Sequence, residues 1–215
     1  MQSHAGLGFR VHSGWAAVIA LGGKPAFPEM IHRARVALID REGEGTPQPY
    51  HAQPYHAAAE MELAEAEAYI GRSGKASTAI AREELEALLV KLGAKNCGVA
   101  GCGVLFAAGR QPGILANTLA SHAMIHTAEG VFFREAIVRA CEQIKLPVIR
   151  IKEREVGRVA EESLGFSSGR LQGHLAVMGK TAGPPWTQDQ KLAALAAWIA
   201  LISKTGGSQS GPART

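Results

Sequence analysis

The stretch GLGFRVHSGWAAVIALGGKP, residues 6–25, decides the fold class of this chain. In its first half, Phe9 and Val11 alternate with other residues, which is typical of a strand with one buried face. In its second half, the apolar run WAAVIAL follows Gly14 and ends before Gly22, and glycines at both places favour turns. The stretch therefore predicts a β-hairpin at the start of the fold.

More strands and helices follow the hairpin. MIHRARVALID, residues 30–40, alternates in the same way and predicts a third strand. Residues 57–70 and 78–92 predict two helices, separated by a flexible break at GRSGKAS, residues 71–77. CGVAGCGVLF, residues 97–106, is apolar on both faces, which is typical of a buried parallel strand.

The second half of the chain alternates helical patterns with one more strand. Residues 113–145 are helical in pattern, and we expect a break near Thr127, which could cap a second helix. LPVIRIKE, residues 146–153, predicts a strand. Helical patterns then cover three segments, at residues 156–164, 171–178 and 187–202. The last begins with a capping box formed by Thr187 and Gln190, and it is apolar on nearly all sides, which predicts burial.

Three antiparallel strands followed by α/β units resemble the ribonuclease H-like superfamily, which includes RuvC-type Holliday junction resolvases. The resemblance covers about residues 6–203 and rests on GFRVHSGWAAVIAL, CGVAGCGVLF, LPVIRI and the terminal helix DQKLAALAAWIAL. It implies the α/β class, with a ribonuclease H-like mixed sheet flanked by helices. The whole chain also resembles a bacterial protein family without an established activity, marked by segments of the type HSGWAAV, SHAMIHTAEG and GPPWTQDQK.

The resemblance implies a metal-binding set of carboxylates, and the chain departs from that pattern. Nucleases of this superfamily hold divalent metal ions with acids on the first strand, at the end of the fourth and on the last helix. Here the first strand ends in His12 and Ser13, and FAAGR, residues 106–110, contains no acid. Only Asp189 falls at a corresponding place. Because two-metal phosphoryl transfer needs several oxygen ligands, the standard nuclease mechanism is not expected.

ASHAMIHTAEG, residues 120–130, carries the most distinctive polar side chains. Spacings of four and three residues place His122, His126 and Glu129 on one face of a helix, within its apolar stripe. Glu129 could act as a general base or orient a histidine. Zinc bound by His122 and His126 is an alternative, although the sequence offers no convincing third ligand. A hydrogen-bonded structural network is the other alternative.

Residues from distant parts of the chain are expected to meet at the carboxyl ends of the parallel strands, where open α/β sheets bind ligands. We predict that His12 and Asp189 are catalytic there, together with the three residues of the helix face. Ser13, His56 and Arg110 are predicted to bind the substrate. Some of these residues also have a structural interpretation, such as the favourable position of Asp189 at a helix N-terminus.

The composition limits the function classes. The 215 residues are 47% hydrophobic and 20% charged, which is typical of a globular chain, here predicted as one domain over residues 1–204 with a disordered tail at 205–215. No apolar run reaches the roughly 18 residues of a membrane span, and a signal-peptide pattern is missing. Three cysteines in apolar surroundings favour reduced thiols and a cytoplasmic location.

The net charge of +4 is compatible with nucleic acid or a nucleotide as partner, and the sequence is also compatible with a divalent metal cofactor and with a homo-oligomer. The leading hypothesis is a ribonuclease H-like domain that binds or acts on nucleic acid or a nucleotide through a non-standard His/Glu/Asp site. As an enzyme it would be nuclease-like or a phosphoester hydrolase. The alternatives are a non-catalytic binding or assembly module of the same fold and a small-molecule hydrolase.

Overall fold

The computed structural model describes residues 3–39, 53–107 and 112–203, which contain five strands and seven α-helices. The strands are β1 (Ser3–His12), β2 (Trp15–Lys24), β3 (Phe27–Ala37), β4 (Cys97–Phe106) and β5 (Val148–Lys152). The helices are α1 (Pro54–Ala58), α2 (Leu63–Gly93), α3 (Leu115–Leu119), α4 (His122–Gln143), α5 (Val156–Leu164), α6 (Ser168–Ala182) and α7 (Gln188–Ser203). A 3-10 turn, Glu153–Glu155, joins β5 to α5.

The five strands form one mixed sheet in the order β3-β2-β1-β4-β5. β2 is antiparallel to both β1 and β3, whereas β4 is parallel to β1 and β5 is parallel to β4. The carboxyl ends of β1, β4 and β5 therefore lie along one edge, which we call the carboxyl edge of the sheet. The predicted hairpin is confirmed, with Gly14 in its turn at φ 79°. The predicted α/β class, three antiparallel strands followed by α/β units, is confirmed as well.

Helices cover both faces of this sheet. α2 and α4 bury one core with the strands, and α5, α6 and α7 bury a second core on the opposite face. Every residue of α7 from Ala193 to Leu201 is buried, as its apolar pattern predicts. Gly8 of β1 permits this close packing, because a Cβ atom there would overlap the backbone carbonyl of Ala193.

The flexible break predicted at residues 71–77 is wrong, because α2 runs without interruption through this segment. Two of its small residues, Gly74 and Ser77, face neighbouring elements. The Ser77 hydroxyl donates a hydrogen bond to the Leu38 carbonyl at 2.7 Å, and Gly74 lies against the ring of Phe132. Glycine and serine here allow α2 to approach the sheet and α4, so tertiary packing outweighs their low helix propensity.

The helical region 113–145 does break, but the break lies at Ser121 rather than near Thr127. Ser121 has an extended backbone, with φ −131° and ψ 114°, and is the N-cap residue of α4. Thr127 lies inside α4, where its hydroxyl donates to the Ala123 carbonyl at 3.0 Å. A threonine inside a helix can donate its hydroxyl to the carbonyl four residues earlier, as Thr127 does. Thr127 is therefore not an N-cap residue.

Other local predictions are confirmed. The Gln190 side chain accepts from the Thr187 amide at 3.0 Å, and Thr187 Oγ1 accepts from the Gln190 amide at 3.4 Å, which completes the capping box. Cys97, Cys102 and Cys141 are buried thiols. Among the described helices, none combines the length and the hydropathy needed to cross a membrane. The predicted tail at residues 205–215 lies outside the described residues.

Candidate functional site

A cluster of charged side chains lies at the carboxyl edge, and we call it the arginine cluster. Arg10 of β1 donates to Asp189 Oδ1 at 2.7 Å and to Glu153 Oε1 at 3.0 Å. Asp189 belongs to the first turn of α7, and Glu153 begins the turn after β5. Side chains alternate along a strand, so Arg10 projects to the same face as Gly8, the face that α7 covers. Three distant segments therefore meet at one guanidinium.

His12 extends the arginine cluster. Its Nε2 atom lies 2.6 Å from Arg10 Nη1 and 3.2 Å from Asp189 Oδ2, and its ring stacks on Trp15 at 4.3 Å between centroids. Burial lowers the pKa of His12 below 6.5; Asp189 acts in the opposite direction and Arg10 adds to the lowering. The neutral form of the His12 imidazole is therefore favoured at neutral pH, and in that form Nε2 can accept the hydrogen bond from Arg10.

A second arginine stands beside this cluster. Arg134 of α4 donates through Nε to the carbonyl of Leu105 at 3.0 Å, near the end of β4. Burial lowers the pKa of Arg134, Glu153 counteracts that shift, and Arg10 reinforces it. The carboxylates of Asp189 and Glu153 therefore lie near two guanidinium groups, those of Arg10 and Arg134, and these four charges sum to zero.

A separate group of three histidines lies between α1 and α4, and we call it the histidine cluster. His56 belongs to α1, while His122 is the first residue of α4 and His126 lies about one turn further along it. One ring nitrogen or more from each lies within 4.8 Å of those of the other two. The Nε2 atoms of His122 and His126 are 2.9 Å apart, and the His56 ring centroid is 4.7 Å from that of His126. Both α4 histidines are exposed.

Glu129 connects the histidine cluster to the protein interior. Its side chain is fully buried, and Oε1 accepts hydrogen bonds from the backbone amides of Tyr55 at 2.7 Å and His56 at 3.2 Å. These amides belong to the first turn of α1, so a carboxylate from another helix caps that turn. The same oxygen lies 3.5 Å from His56 Nδ1.

Burial sets the protonation of this carboxyl group. Desolvation raises the pKa of Glu129 to about 7, although the two amide hydrogen bonds act to lower it. Its second oxygen, Oε2, is buried and has no hydrogen-bond partner among the residues that the structure describes. Burial also lowers the pKa values of His56 and His126, and the neighbouring His122 adds to both shifts. Neutral imidazoles are therefore favoured at neutral pH.

The five residues predicted as catalytic do not form one centre. His12 and Asp189 contact each other in the arginine cluster, whereas His122, His126 and Glu129 belong to the histidine cluster. The two groups separate because α7 and α4 pack on opposite faces of the sheet. The prediction that both α4 histidines lie in a buried stripe is wrong, since α4 begins at His122 and both His122 and His126 are exposed.

The residues predicted to bind substrate have different positions. His56 lies in the histidine cluster, and Ser13 is exposed in the turn between β1 and β2. Arg110 lies outside the described residues. Arg10 was missed, although it precedes His12 by two positions and therefore shares its strand face. Glu153, the last residue of the predicted strand at residues 146–153, was not predicted as a site residue.

Comparisons with known proteins identify no family for this chain. No protein-family model matches the chain, and no curated protein matches its sequence. Two solved structures are similar over nearly the whole chain. T. thermophilus RuvC in complex with a Holliday junction substrate is 12% identical with a TM-score of 0.48, and the match covers 96% of this chain and 97% of that one. A second Thermus thermophilus RuvC structure is 13% identical with a TM-score of 0.49, and covers 95% and 96%. The chain has the mixed five-stranded sheet and flanking helices that its resemblance to the ribonuclease H-like superfamily predicts.

Proposed function

We propose that this ribonuclease H-like domain binds nucleic acid along the carboxyl edge of its sheet and does not cleave it by a two-metal mechanism. The observation that carries the proposal is the position of Arg10, whose guanidinium group donates to both Asp189 and Glu153. Asp189 and Glu153 therefore already form ion pairs with a cationic side chain of the protein itself.

A pair of magnesium ions does not fit this set of side chains. Magnesium requires several oxygen ligands in octahedral geometry, and the two carboxylates here are already ion-paired with Arg10. A magnesium ion bound to these carboxylates would also be repelled by the Arg10 guanidinium group. At an effective dielectric constant of about 20, two unit charges about 4 Å apart repel each other by about 4 kcal/mol, and the double charge of the ion doubles that value. No hydrolytic step is therefore assigned to this cluster.

Exposed cations at the same edge support binding of a polyanion. Arg35 of β3 is in register with Ala17 of β2, which is in register with Arg10, and its guanidinium packs 3.9 Å from the Trp15 ring centroid. Phosphate groups bind such cations without regard to base sequence. The whole chain carries a net charge of +4.

The end of β5 contributes further positive charge. Lys152 and Arg154 have side chains that are 59% and 67% exposed, and both share one carboxylate, Glu155. The fold class includes enzymes that act on DNA junctions, and this fold-level analogy makes nucleic acid the first polyanion to test.

Fluorescence anisotropy with labelled single strands, duplexes and four-way junctions tests the proposal, first in EDTA and then in Mg²⁺ or Mn²⁺. We expect binding at about 50 mM salt that weakens steeply by about 200 mM, because phosphate contacts release counterions. Denaturing gels should show uncut strands. Replacing Arg35 and Arg154 together by alanine should weaken binding about tenfold, since each removes a phosphate contact.

Arg82→Ala is the matched control, because Arg82 is a half-exposed arginine of α2 that pairs with Glu86 on its own helix. It should bind nucleic acid as the unchanged protein does. Absence of binding at low salt would contradict nucleic acid as partner. Cleavage that requires Mg²⁺ or Mn²⁺ and disappears with Asp189→Asn would contradict the non-hydrolytic part of the proposal.

A further inference from the structure

We propose that His56, His122 and His126 form a binding site for one transition-metal ion, best matched by Zn²⁺, and that Glu129 orients His56 within that site. The proposal concerns the histidine cluster alone and does not depend on nucleic-acid binding at the carboxyl edge.

The spacing of the ring nitrogens fits a tetrahedral ion. Zinc binds imidazole nitrogen at about 2.0–2.1 Å, so two such ligands lie about 3.3 Å apart around a tetrahedral centre. The His122 and His126 Nε2 atoms are 2.9 Å apart, and ligand nitrogens from all three histidines lie within 4.8 Å of one another. The required separation lies within this limit, and rotation of the two exposed α4 rings would bring the nitrogens to it.

The chemistry of the donors selects the class of ion. Three imidazoles suit Zn²⁺, Co²⁺, Ni²⁺ and Cu²⁺, whereas Mg²⁺ and Ca²⁺ require oxygen ligands. The residues come from two helices, α1 and α4, so an ion bound here would link them. Because His122 and His126 are exposed, the fourth position would be open to water or to an anion, as in zinc sites with three protein ligands.

The position of Glu129 supports the assignment independently of the nitrogen spacing. Histidines that bind metal ions usually direct their other ring nitrogen to a carboxylate or carbonyl group, which fixes the tautomer and the ring orientation. His56 Nδ1 lies 3.5 Å from Glu129 Oε1, which directs Nε2 to the ion. The same oxygen accepts the backbone amide of His56 at 3.2 Å, so the residue is held at two points before an ion arrives.

A competition titration tests the site, with the full chain lacking any histidine tag and a chromophoric zinc chelator. We expect one equivalent of Zn²⁺ to bind, and Co²⁺ to give the intense visible absorption of a tetrahedral complex. His122→Ala and His126→Ala should each weaken zinc binding by at least about 100-fold. Glu129→Gln should weaken it about 10- to 100-fold, as expected when a carboxylate behind a histidine ligand is lost.

His4→Ala is the matched control, since His4 is an exposed histidine of β1 outside the cluster, and it should leave the affinity unchanged. Both α4 histidines are exposed, so the double variant His122→Ala/His126→Ala is expected to fold, which a denaturation curve in EDTA verifies. The proposal is overturned if the unchanged chain takes up no zinc at micromolar concentration. It is equally overturned if the double variant keeps one equivalent at the same affinity.

Discussion

Arg10 and Asp189 are 179 positions apart in the sequence, and their side chains form an ion pair of 2.7 Å. The pair depends on how β1 and α7 pack. Gly6 lies under the backbone at Ala197 and Leu201, and Gly8 lies under Ala193, so α7 runs along β1 in close contact. One further step along the same strand face brings Arg10 to the first turn of α7. The glycines of β1 therefore bring the arginine cluster together.

Replacing Arg10 by methionine should lower the free energy of unfolding by about 2 kcal/mol. The change removes the guanidinium group that donates to both Asp189 and Glu153, so the two partly buried carboxylates repel each other more strongly. The value lies between the small effect of an exposed ion pair and the about 3–5 kcal/mol lost when one partner of a buried pair is removed. Urea denaturation at neutral pH measures it.

Arg82→Met is the control for this change, because its ion pair with Glu86 is exposed, and it should cost less than about 0.5 kcal/mol. In a double-mutant cycle, Arg10→Met and Asp189→Asn should be less destabilising together than the sum of the two single effects. Additive effects would show that the 2.7 Å contact contributes nothing to stability.

The pKa of His12 should lie below 6.5 in the folded protein, chiefly because the ring is partly buried. Since the folded state binds protons less readily than the unfolded one, this group stabilises the fold above pH 6.5. Its contribution decreases as the pH falls from 6.5 and is lost once the pH passes below the folded pKa. NMR titration of the ring protons measures the pKa directly.

Two variants test the causes of this shift. Asp189→Asn removes the neighbour that raises the pKa of His12, so the value should fall further. Arg10→Met removes a cation that lowers it, so the value should rise. Shifts of the same sign in both variants would contradict the described cluster, in which a carboxylate and a guanidinium flank one imidazole.

Two glycine substitutions should have opposite effects on stability. Gly8→Ala should destabilise the fold by about 3 kcal/mol or more, because its Cβ would overlap the backbone carbonyl of Ala193 and displace α7. Gly71→Ala lies at an exposed point of α2 with nothing within 4 Å of the new atom. It should raise stability by about 0.5–1 kcal/mol, the usual gain for a helix interior.

Thermal denaturation of both variants measures these effects. An unchanged midpoint for Gly71→Ala would be the result expected of a flexible break rather than a continuous α2. An unchanged midpoint for Gly8→Ala would contradict the close packing of α7 on β1.

The strands and most helices could be predicted because their signals are local. The hairpin at residues 6–25 and the buried strand at 97–106 have patterns that depend only on neighbouring residues. The break predicted at residues 71–77 fails because Ser77 is paired with Leu38, a contact made only after the chain folds. The helix propensities of individual residues do not include such a tertiary contact. Without it, glycine and serine favour loops.

The candidate sites could be predicted only in part, for the same reason. The approach of His12 to Asp189 follows from the direction of the parallel strands, and it was predicted. Arg10 was missed because an arginine in an alternating strand is ordinarily assigned to the solvent face. His56 was predicted as a site residue, but not beside His122, because the packing of a five-residue helix on α4 has no local signature.

Removing the carboxyl group of Glu129 should loosen the first turn of α1. Glu129→Ala leaves the amides of Tyr55 and His56 without their acceptor and creates a cavity, so we expect a loss of about 2 kcal/mol in the free energy of unfolding. Glu129→Gln keeps one side-chain oxygen as acceptor and should lose less than half as much. Denaturation in EDTA measures both effects without bound metal, and hydrogen exchange should become faster at the two amides in the alanine variant alone. Equal exchange rates in the alanine and glutamine variants would show that the side-chain oxygen does not cap α1.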